Sequence, residues 1–450
     1  MHSGWCGKDC PGKKQCNLVL GIMQNICSKF ILWIHANRWL LAILLVNLVL
    51  RLVFVSFFSN WDEGDMMDSS RYQRVALNII RRCGFAEWTS PTAFSPPLYP
   101  FFMAGIMKLF GTSSVPIKIV QILLSVLTGA AVYLIGKTVF NRPTGLIASL
   151  WIAVNPELIV LAGTLYTETL YIFISCLVFT VLVYAIQHPG KQTLWIGAGV
   201  LMGLAILTRH ILILFPLLLL VFVLFFSSTR PLWKPFLLFA LVSYLLLVPW
   251  IVRHYVVFDQ FVPVASGAGG GLWHGSTPSN NGTYQYDISR KQVARETRGL
   301  ERPVDKDRLL LRKSLQAIGK SPLKFIVQVG QKYLRFFTQV YEDVPQGERR
   351  KKNPLVLTML VLNYYPVLLA CLFGWVVYFK KWPRLFPLYW VIIYSGLIYS
   401  ITLVTPRYRI PLLPFMILFA SAGLFHGIQQ WSGRIRGSRN PVPQHEGNAS

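Results

Sequence analysis

The chain predicts an all-α polytopic membrane protein, and three observations carry that prediction. Hydrophobic residues fill 54% of its 450 positions, charged residues only 14%, and the mean hydropathy is +0.48. A soluble globule of this size needs more polar surface than that to cover its core. Apolar runs able to cross a hydrocarbon layer of roughly 30 Å recur at 39–58, 115–136, 145–161, 168–186, 194–207, 211–226, 236–252, 354–379, 385–404 and 410–427. The expectation is about ten transmembrane helices.

Lys and Arg held in short loops set orientation. Lys8, Lys13, Lys14, Lys29, Arg38, Lys137, Arg142, Lys191, Arg230, Lys234, Lys380, Lys381, Arg384, Arg434 and Arg439 fall on one face, which is assigned to the cytoplasm. The long loops 60–114 and 253–353 then lie outside. The second is basic, but long loops translocate largely regardless of charge. With a net charge of +26, anionic headgroups or a phosphate-bearing substrate suit that basicity, and so does a plain solvated surface; nucleic acid is not an expected partner.

The chain therefore divides into a basic cytoplasmic tail (1–38), an N-terminal transmembrane catalytic half (39–252), a large external loop with amphipathic helices (253–353), C-terminal transmembrane helices (354–427) and a cytoplasmic tail expected to be disordered (428–450). No cleavable signal is evident, so the helix from Trp39 reads as an uncleaved anchor. The seven cysteines imply no disulfide framework. Cys6, Cys10 and Cys16 lack paired zinc spacing, and Cys176 and Cys371 lie inside helices.

The first external loop carries an acidic cluster, Asp62, Glu63, Asp65 and Asp68, in an otherwise basic protein. After it, Tyr72, Val75, Ala76, Ile79, Ile80 and Cys83 repeat at helical spacing, while Arg71, Arg74, Asn78, Arg81 and Arg82 take the other face. That pattern describes an interfacial helix with arginines toward headgroups. A second short helix opens at Pro96-Pro97 with Leu98, Phe101, Phe102, Ile106 and Leu109 on its apolar side. A third amphipathic helix follows Ser321-Pro322, its stripe running from Phe325 to Val340.

These motifs, in this order, resemble the polyprenyl-phosphate-sugar-dependent integral membrane glycosyltransferases of the GT-C fold, the group of the protein O-mannosyltransferases and the aminoarabinose transferases of lipid A. The resemblance rests on the acidic residue four before Tyr72, Tyr72 to Ala76, Gly84, and Pro96-Pro97-Leu98-Tyr99-Pro100. It continues through Thr167-Glu168-Thr169-Leu170-Tyr171, Leu207-Thr208-Arg209, Pro249-Trp250, Arg253-His254-Tyr255, the glycine run 267–275 with Trp273, and Arg407-Tyr408-Arg409-Ile410-Pro411 with Pro414. It implies a GT-C-like bundle with amphipathic interfacial helices in the first external loop, and sugar transfer from a polyprenyl monophosphate donor in the bilayer.

Such a reaction needs a base to activate an acceptor hydroxyl and cations to stabilise the departing phosphate. The resemblance places the base at Asp68, with Asp62 and Asp65 as rivals along the loop; a helix-capping Asp is the plainer alternative. Glu168 matches the second acidic position, against a role as a helix N-terminal residue favoured by the macrodipole with Thr167 as cap. Glu157 is less well matched. Arg253, Arg407, Arg209 and Arg409, with Tyr72, are the phosphate and donor candidates, against snorkelling of the arginines to the interface. The aminoarabinose transferases carry lysine immediately before the double proline, whereas this chain has Ser95. No cofactor is required by this chemistry; Asp62-x-x-Asp65-x-x-Asp68 offers hard oxygens for a divalent cation, as in oligosaccharyltransferase relatives.

Two other readings use the same features. A transporter or flippase of lipid-linked sugars would line its path with charges near the midplane, yet here the acidic residues cluster at one face. An O-antigen-ligase-like glycan transferase would rely on His254 and His274 in the later loop instead. The sequence therefore points to an inverting glycosyltransferase, multi-pass in the bacterial inner membrane, with its active site facing the periplasm or exterior. The acceptor, whether lipid, glycan or protein, is not specified.

The orientation has a direct test. Single cysteines at Ser90 and Ser279 should both react with an impermeant thiol reagent in intact cells, and one at Ser228 should not. Labelling of Ser228→Cys with protection of the other two would invert the topology.

Overall fold

Runs of Leu, Ile, Val and Phe unbroken by acidic residues favour helices whose backbone bonds are satisfied internally, the condition that hydrocarbon imposes. The computed structural model describes residues 11–58, 67–276, 286–340 and 354–439. Helix α1 (Pro11–Phe58) is interrupted at Asn37, and α2 (Met67–Ile80) leads to a two-stranded hairpin of β1 (Ala86–Glu87) and β2 (Ser90–Pro91). Then come α3 (Leu98–Phe110), α4 (Ser114–Val139), α5 (Arg142–Val154), α6 (Pro156–Ala162), α7 (Thr167–Gln187), α8 (Gln192–Thr208), α9 (Phe215–Phe225), α10 (Trp233–Leu245) and α11 (Val248–Phe258). The last set is α12 (Ala268–Ser276), α13 (Tyr286–Glu296), α14 (Pro303–Lys320), α15 (Pro322–Thr338), α16 (Pro354–Tyr378), α17 (Trp382–Ile401) and α18 (Leu413–Arg439).

The all-α class holds, but the count of ten spans is not confirmed. Among the described residues, six helical stretches are long and apolar enough to cross a membrane, and seven if the bent pair α5–α6 counts as one span. The difference lies at backbone breaks. The pair α5–α6 bends by 59° at Asn155, α8 and the stretch His210–Phe225 are each shorter than a full span, and α10 and α11 are joined at Leu246 and Leu247. One stretch, Leu357–Ile401, folds back on itself at Phe379–Lys381. The rings of Trp375 and Tyr389 lie 5.1 Å apart, and the Tyr389 hydroxyl donates to the Trp375 carbonyl at 3.1 Å. In a straight helix fourteen residues would separate those rings by about 21 Å.

Breaks free carbonyls, and at two of them side chains from other helices take these up. Buried Arg51 of α1 donates to the carbonyls of Ile152 and Ala153 at 3.2 and 3.1 Å, closing the end of α5, and to Ser125 Oγ at 2.7 Å. Asn155 accepts from Leu158 N to start α6. Between α8 and α9, Tyr394 and Tyr244 donate to the carbonyls of Ile211 and Ile213, each at 2.7 Å. Irregular backbone at membrane depth survives only with such partners or beside a cavity.

The helices approach each other at glycine. A Cβ on Gly374 of α16 would lie 2.0 Å from the Phe419 carbonyl of α18, and one on Gly136 of α4 would lie 2.7 Å from Gly145 of α5. Small residues at such crossings maximise dispersion where lipid supplies no hydrophobic drive.

The amphipathic platform is present, with one change. Val75 and Ala76 of α2 are fully buried and α3 packs beside them. Arg71 and Arg74 do not both face outward; they reach Glu87 of the hairpin at 3.3 and 3.2 Å, while Arg81 and Arg82 are exposed. The expected stripe had no way to include Glu87, which lies beyond the helix.

Gly374→Ala should lower the thermal midpoint of the detergent-solubilised protein, by an overpacking cost of about 1–3 kcal/mol. Gly197→Ala in α8, where a Cβ meets open space, should be neutral or slightly stabilising. Equal responses would show that the α16–α18 crossing is looser than described.

Candidate functional site

Helix ends bring the site together. The start of α2, the start of α7, the end of α8, the end of α17 and the 3-10 turn Pro406–Leu412 before α18 meet at one end of the bundle. They surround a cavity of about 430 Å3, within the roughly 300–1,000 Å3 range of small-molecule sites. Asp68, Tyr72, Thr167, Arg209, His210, Tyr399, Arg407 and Tyr408 supply its polar lining. Ile211, Ile213, Leu214, Ile398 and Leu403 supply an apolar flank.

Glu168 stands behind that lining, fully buried. Its Oε1 accepts from Arg407 Nε at 2.6 Å and from Arg209 Nη1 at 2.7 Å, and its Oε2 accepts from Thr167 Oγ1 at 3.2 Å. Two guanidiniums on one carboxylate oxygen make a strong, oriented clamp. The backbone explains why both can reach. Arg209 is extended (φ −146°, ψ 116°) where α8 ends, and Arg407 lies in the 3-10 turn. Arg407 also stacks 3.8 Å over the Tyr166 ring.

Asp68 differs in exposure. Its side chain is 41% accessible, and Oδ2 accepts from Arg407 Nη1 at 3.0 Å while Arg71 lies 3.6 Å from Oδ1. It sits inside the first turn of α2 and points to Arg407. Tyr72, one turn on, packs edge-on against Tyr99 at 5.2 Å. Burial, with Asp68 and Glu168 nearby, pushes its phenol above the usual range, so it remains a protonated donor.

The other candidates lie elsewhere. Arg253 donates to the carbonyls of Thr92 and Phe85 at 3.1 and 2.9 Å, with its guanidinium against the rings of Phe85, Trp250 and Phe258. It ties the first loop to α11 and does not line the cavity. Arg409, 2% exposed, donates to the carbonyls of Phe336 and Gln339 and stacks on Tyr364, which anchors α15. The snorkelling alternative fits neither, since both are packed among protein atoms. Asp62 and Asp65 lie outside the described residues. Thr167 is not the cap of α7; Tyr166 holds that position.

His254 is buried and donates Nδ1–H to the Val262 carbonyl at 2.8 Å, and neither it nor His274 reaches the cavity. The histidine that does is His210. Sequence reasoning passed over it, although Arg209-His210 interrupts an apolar run and so marks a break.

Among the described residues no group of three metal-ligating side chains occurs. Asp68 and Glu168 share Arg407, and Asp62 and Asp65, the other members of the expected cation set, lie outside the described residues.

The fold has known counterparts. A family model described as dolichyl-phosphate-mannose-protein mannosyltransferase matches residues 95–252, a stretch that holds Glu168 and Arg209. No curated protein matches the chain. The oligosaccharyltransferase of Archaeoglobus fulgidus, solved in complex with Zn and sulfate, aligns at TM-score 0.52 and 16% identity, covering 87% of this chain and 50% of its own. The archaeal oligosaccharyltransferase AglB of the same organism, with an inhibitory peptide and a dolichol-phosphate, aligns at 0.53 and 15%, covering 93% and 53%. ArnT from Cupriavidus metallidurans bound to undecaprenyl phosphate aligns at 0.45 and 15%, covering 91% and 82%. The chain spans about half the length of the oligosaccharyltransferases it matches.

Removing one partner of the clamp should be costly. Glu168→Ala leaves the largely buried Arg209 without its carboxylate and Arg407 with Asp68 alone, a loss of about 3–5 kcal/mol, and should lower the thermal midpoint sharply, with Glu168→Gln intermediate. A Glu168→Ala protein as stable as the parent would dissociate the clamp from stability. The motif resemblance is borne out in the matched family segment and in the oligosaccharyltransferase-like architecture: the chain has the GT-C fold.

Proposed function

We propose that the protein is an inverting glycosyltransferase that moves a sugar from a polyprenyl monophosphate donor to an acceptor hydroxyl, in the cavity at the external end of the bundle. The observation that carries this reading is the division of the two carboxylates around Arg407. Glu168 is sealed and doubly paired, while Asp68 borders the cavity with a partly accessible carboxylate.

Asp68 accepts the proton of the acceptor hydroxyl. The acceptor oxygen bonds to the anomeric carbon, the bond from that carbon to the phosphate oxygen breaks, and the polyprenyl phosphate leaves with the electron pair. Remaining N–H groups of Arg407 and Arg209 face the charge that develops on it. The apolar flank suits an isoprenoid entering from the leaflet, and Tyr72 offers a hydroxyl to the sugar or acceptor. The family model's dolichyl-phosphate-mannose description and the dolichol-phosphate bound by AglB support a lipid-phosphate carrier. The periplasmic or exterior face follows from the distribution of Lys and Arg among the loops.

Asp68→Asn keeps the volume and an oxygen for Arg407 but cannot take a proton. In membranes that hold native acceptors, turnover of polyprenyl monophosphate sugars should fall about 100- to 10,000-fold, while binding of polyprenyl phosphate and thermal stability persist. Normal turnover in Asp68→Asn, with loss in Asp62→Asn or Asp65→Asn, would move the base along the loop. Normal turnover in all three would remove the enzyme reading.

A further inference from the structure

Helix α15 has more apolar surface than the protein covers. The stripe expected from the sequence is taken up by packing: Phe336 stacks on Tyr399 with ring centroids 5.7 Å apart, and a Cβ on Gly396 of α17 would lie 2.9 and 3.0 Å from Tyr333 and Phe337. Beside that stripe runs a second apolar shoulder, Leu323, Ile326, Val327 and Leu334, each 59–78% exposed and all on one side of the helix. Lys324, Gln328, Gln331 and Arg335 fill the narrow polar strip that remains. The neighbours of α15 fix what meets the shoulder. Lys332 and Phe336 reach the last turn of the membrane-spanning stretch that α17 ends, at Tyr399, Ile401 and Thr402, and Thr402 lines the cavity. The shoulder therefore lies at the depth of the leaflet that borders the cavity end of the bundle, where hydrocarbon covers it.

The adjoining helix supplies charge of one sign. The exposed face of α14 carries Arg308, Leu311, Arg312 and Leu315, with Lys320 at its end, and Lys324 follows across the Ser321-Pro322 break. The carboxylates of α14 are turned to other partners: Asp305 accepts from Arg302 and Gln260, and Asp307 accepts from the Gly270 N–H. Among the described residues none of the four cations pairs with a carboxylate; the ion pairs beside them are Arg302 with Asp305 and Lys313 with Glu296. Cations interleaved with exposed leucines, next to a shoulder set in hydrocarbon, complement a surface of anionic headgroups over acyl chains.

We propose that α14 and α15 form a binding site for anionic phospholipid, with the α15 shoulder among the acyl chains and Arg308, Arg312, Lys320 and Lys324 on the headgroup phosphates. This goes beyond the glycosyl-transfer reading and does not rest on it. The site also touches the cavity's frame, because Lys332 ties α15 to the wall at Thr402 and Arg409, two residues from Arg407, donates to the α15 carbonyl of Phe336.

The test uses the full chain in nanodiscs of phosphatidylcholine with and without phosphatidylglycerol, with the lipid retained by the protein read by native mass spectrometry. The parent should retain phosphatidylglycerol over phosphatidylcholine. Arg308→Gln with Arg312→Gln should weaken that retention about fivefold per charge and about 25-fold together, since each basic residue near an anionic surface contributes about 1 kcal/mol. Both side chains are exposed and without an ion pair among the described residues, so the thermal midpoint in neutral nanodiscs should not fall. Arg295→Gln with Arg298→Gln, at the exposed end of α13 and the turn after it, removes the same charge away from this face and should retain lipid as the parent does. A benzophenone side chain in place of Leu334 should cross-link to acyl chains, and one in place of Gln331 should not. Full retention in the Arg308/Arg312 variant, equal loss in the Arg295/Arg298 variant, displacement of the lipid by inorganic phosphate, or no lipid cross-link at Leu334 overturns the site and leaves the glycosyltransferase reading standing.

Discussion

A fully buried carboxylate in a membrane protein is the constraint on which this architecture turns. Glu168 cannot reach water, and an unpaired charge there would be prohibitively costly. Its two guanidinium partners arrive from distant parts of the chain, Arg209 from the end of α8 and Arg407 from the turn before α18. Arg407 then extends the link to Asp68 in α2. Neutralising one charge thus joins four elements at the same end of the bundle and holds open the space between them.

The same demand for satisfied polar groups explains the helix breaks. Two breaks expose carbonyls that long side chains from neighbouring helices close: Arg51 for α5, Tyr244 and Tyr394 for the α8–α9 turn. Lys332, 2% exposed, does this at the end of α17, donating to the carbonyls of Gly275, Ile401 and Thr402 at 3.0, 3.4 and 3.2 Å. Burial lowers its amine to about 8, a tolerable cost where three carbonyls receive it. Thr402 lines the cavity, so the lysine fixes one wall.

What was legible in the sequence follows from how local the signals are. Helices longer than a membrane span announce themselves by composition, and so do the amphipathic helices α2, α3 and α15. Asp68, Tyr72, Glu168, Arg209 and Arg407 were each marked by short motifs at helix ends on one predicted side, and the structure brings those five to one cavity. Arg253 and Arg409 carried the same mark and went elsewhere. An arginine at a helix end looks the same in sequence whether it faces a cavity or caps another element's carbonyls, because the deciding partners, such as Thr92 or Phe336, are distant in the chain. The span count is not confirmed for a related reason: a broken helix and a continuous one share a hydropathy profile, and only tertiary partners permit the break.

The two carboxylates show how one cation can serve opposite purposes. Arg407 holds Glu168 through Nε and Asp68 through Nη1, but the surroundings differ. Glu168 has a second guanidinium and no accessible surface, so its proton affinity is of no use to a substrate. Asp68 keeps accessible surface and a more distant second cation, Arg71 at 3.6 Å. A base must be held in place yet remain open to the proton it takes. Rigid pairing of the inner carboxylate positions Arg407, and Arg407 in turn positions the outer one, so that the base proposed at Asp68 would take its orientation from the buried charge and its access to a proton from its own exposure.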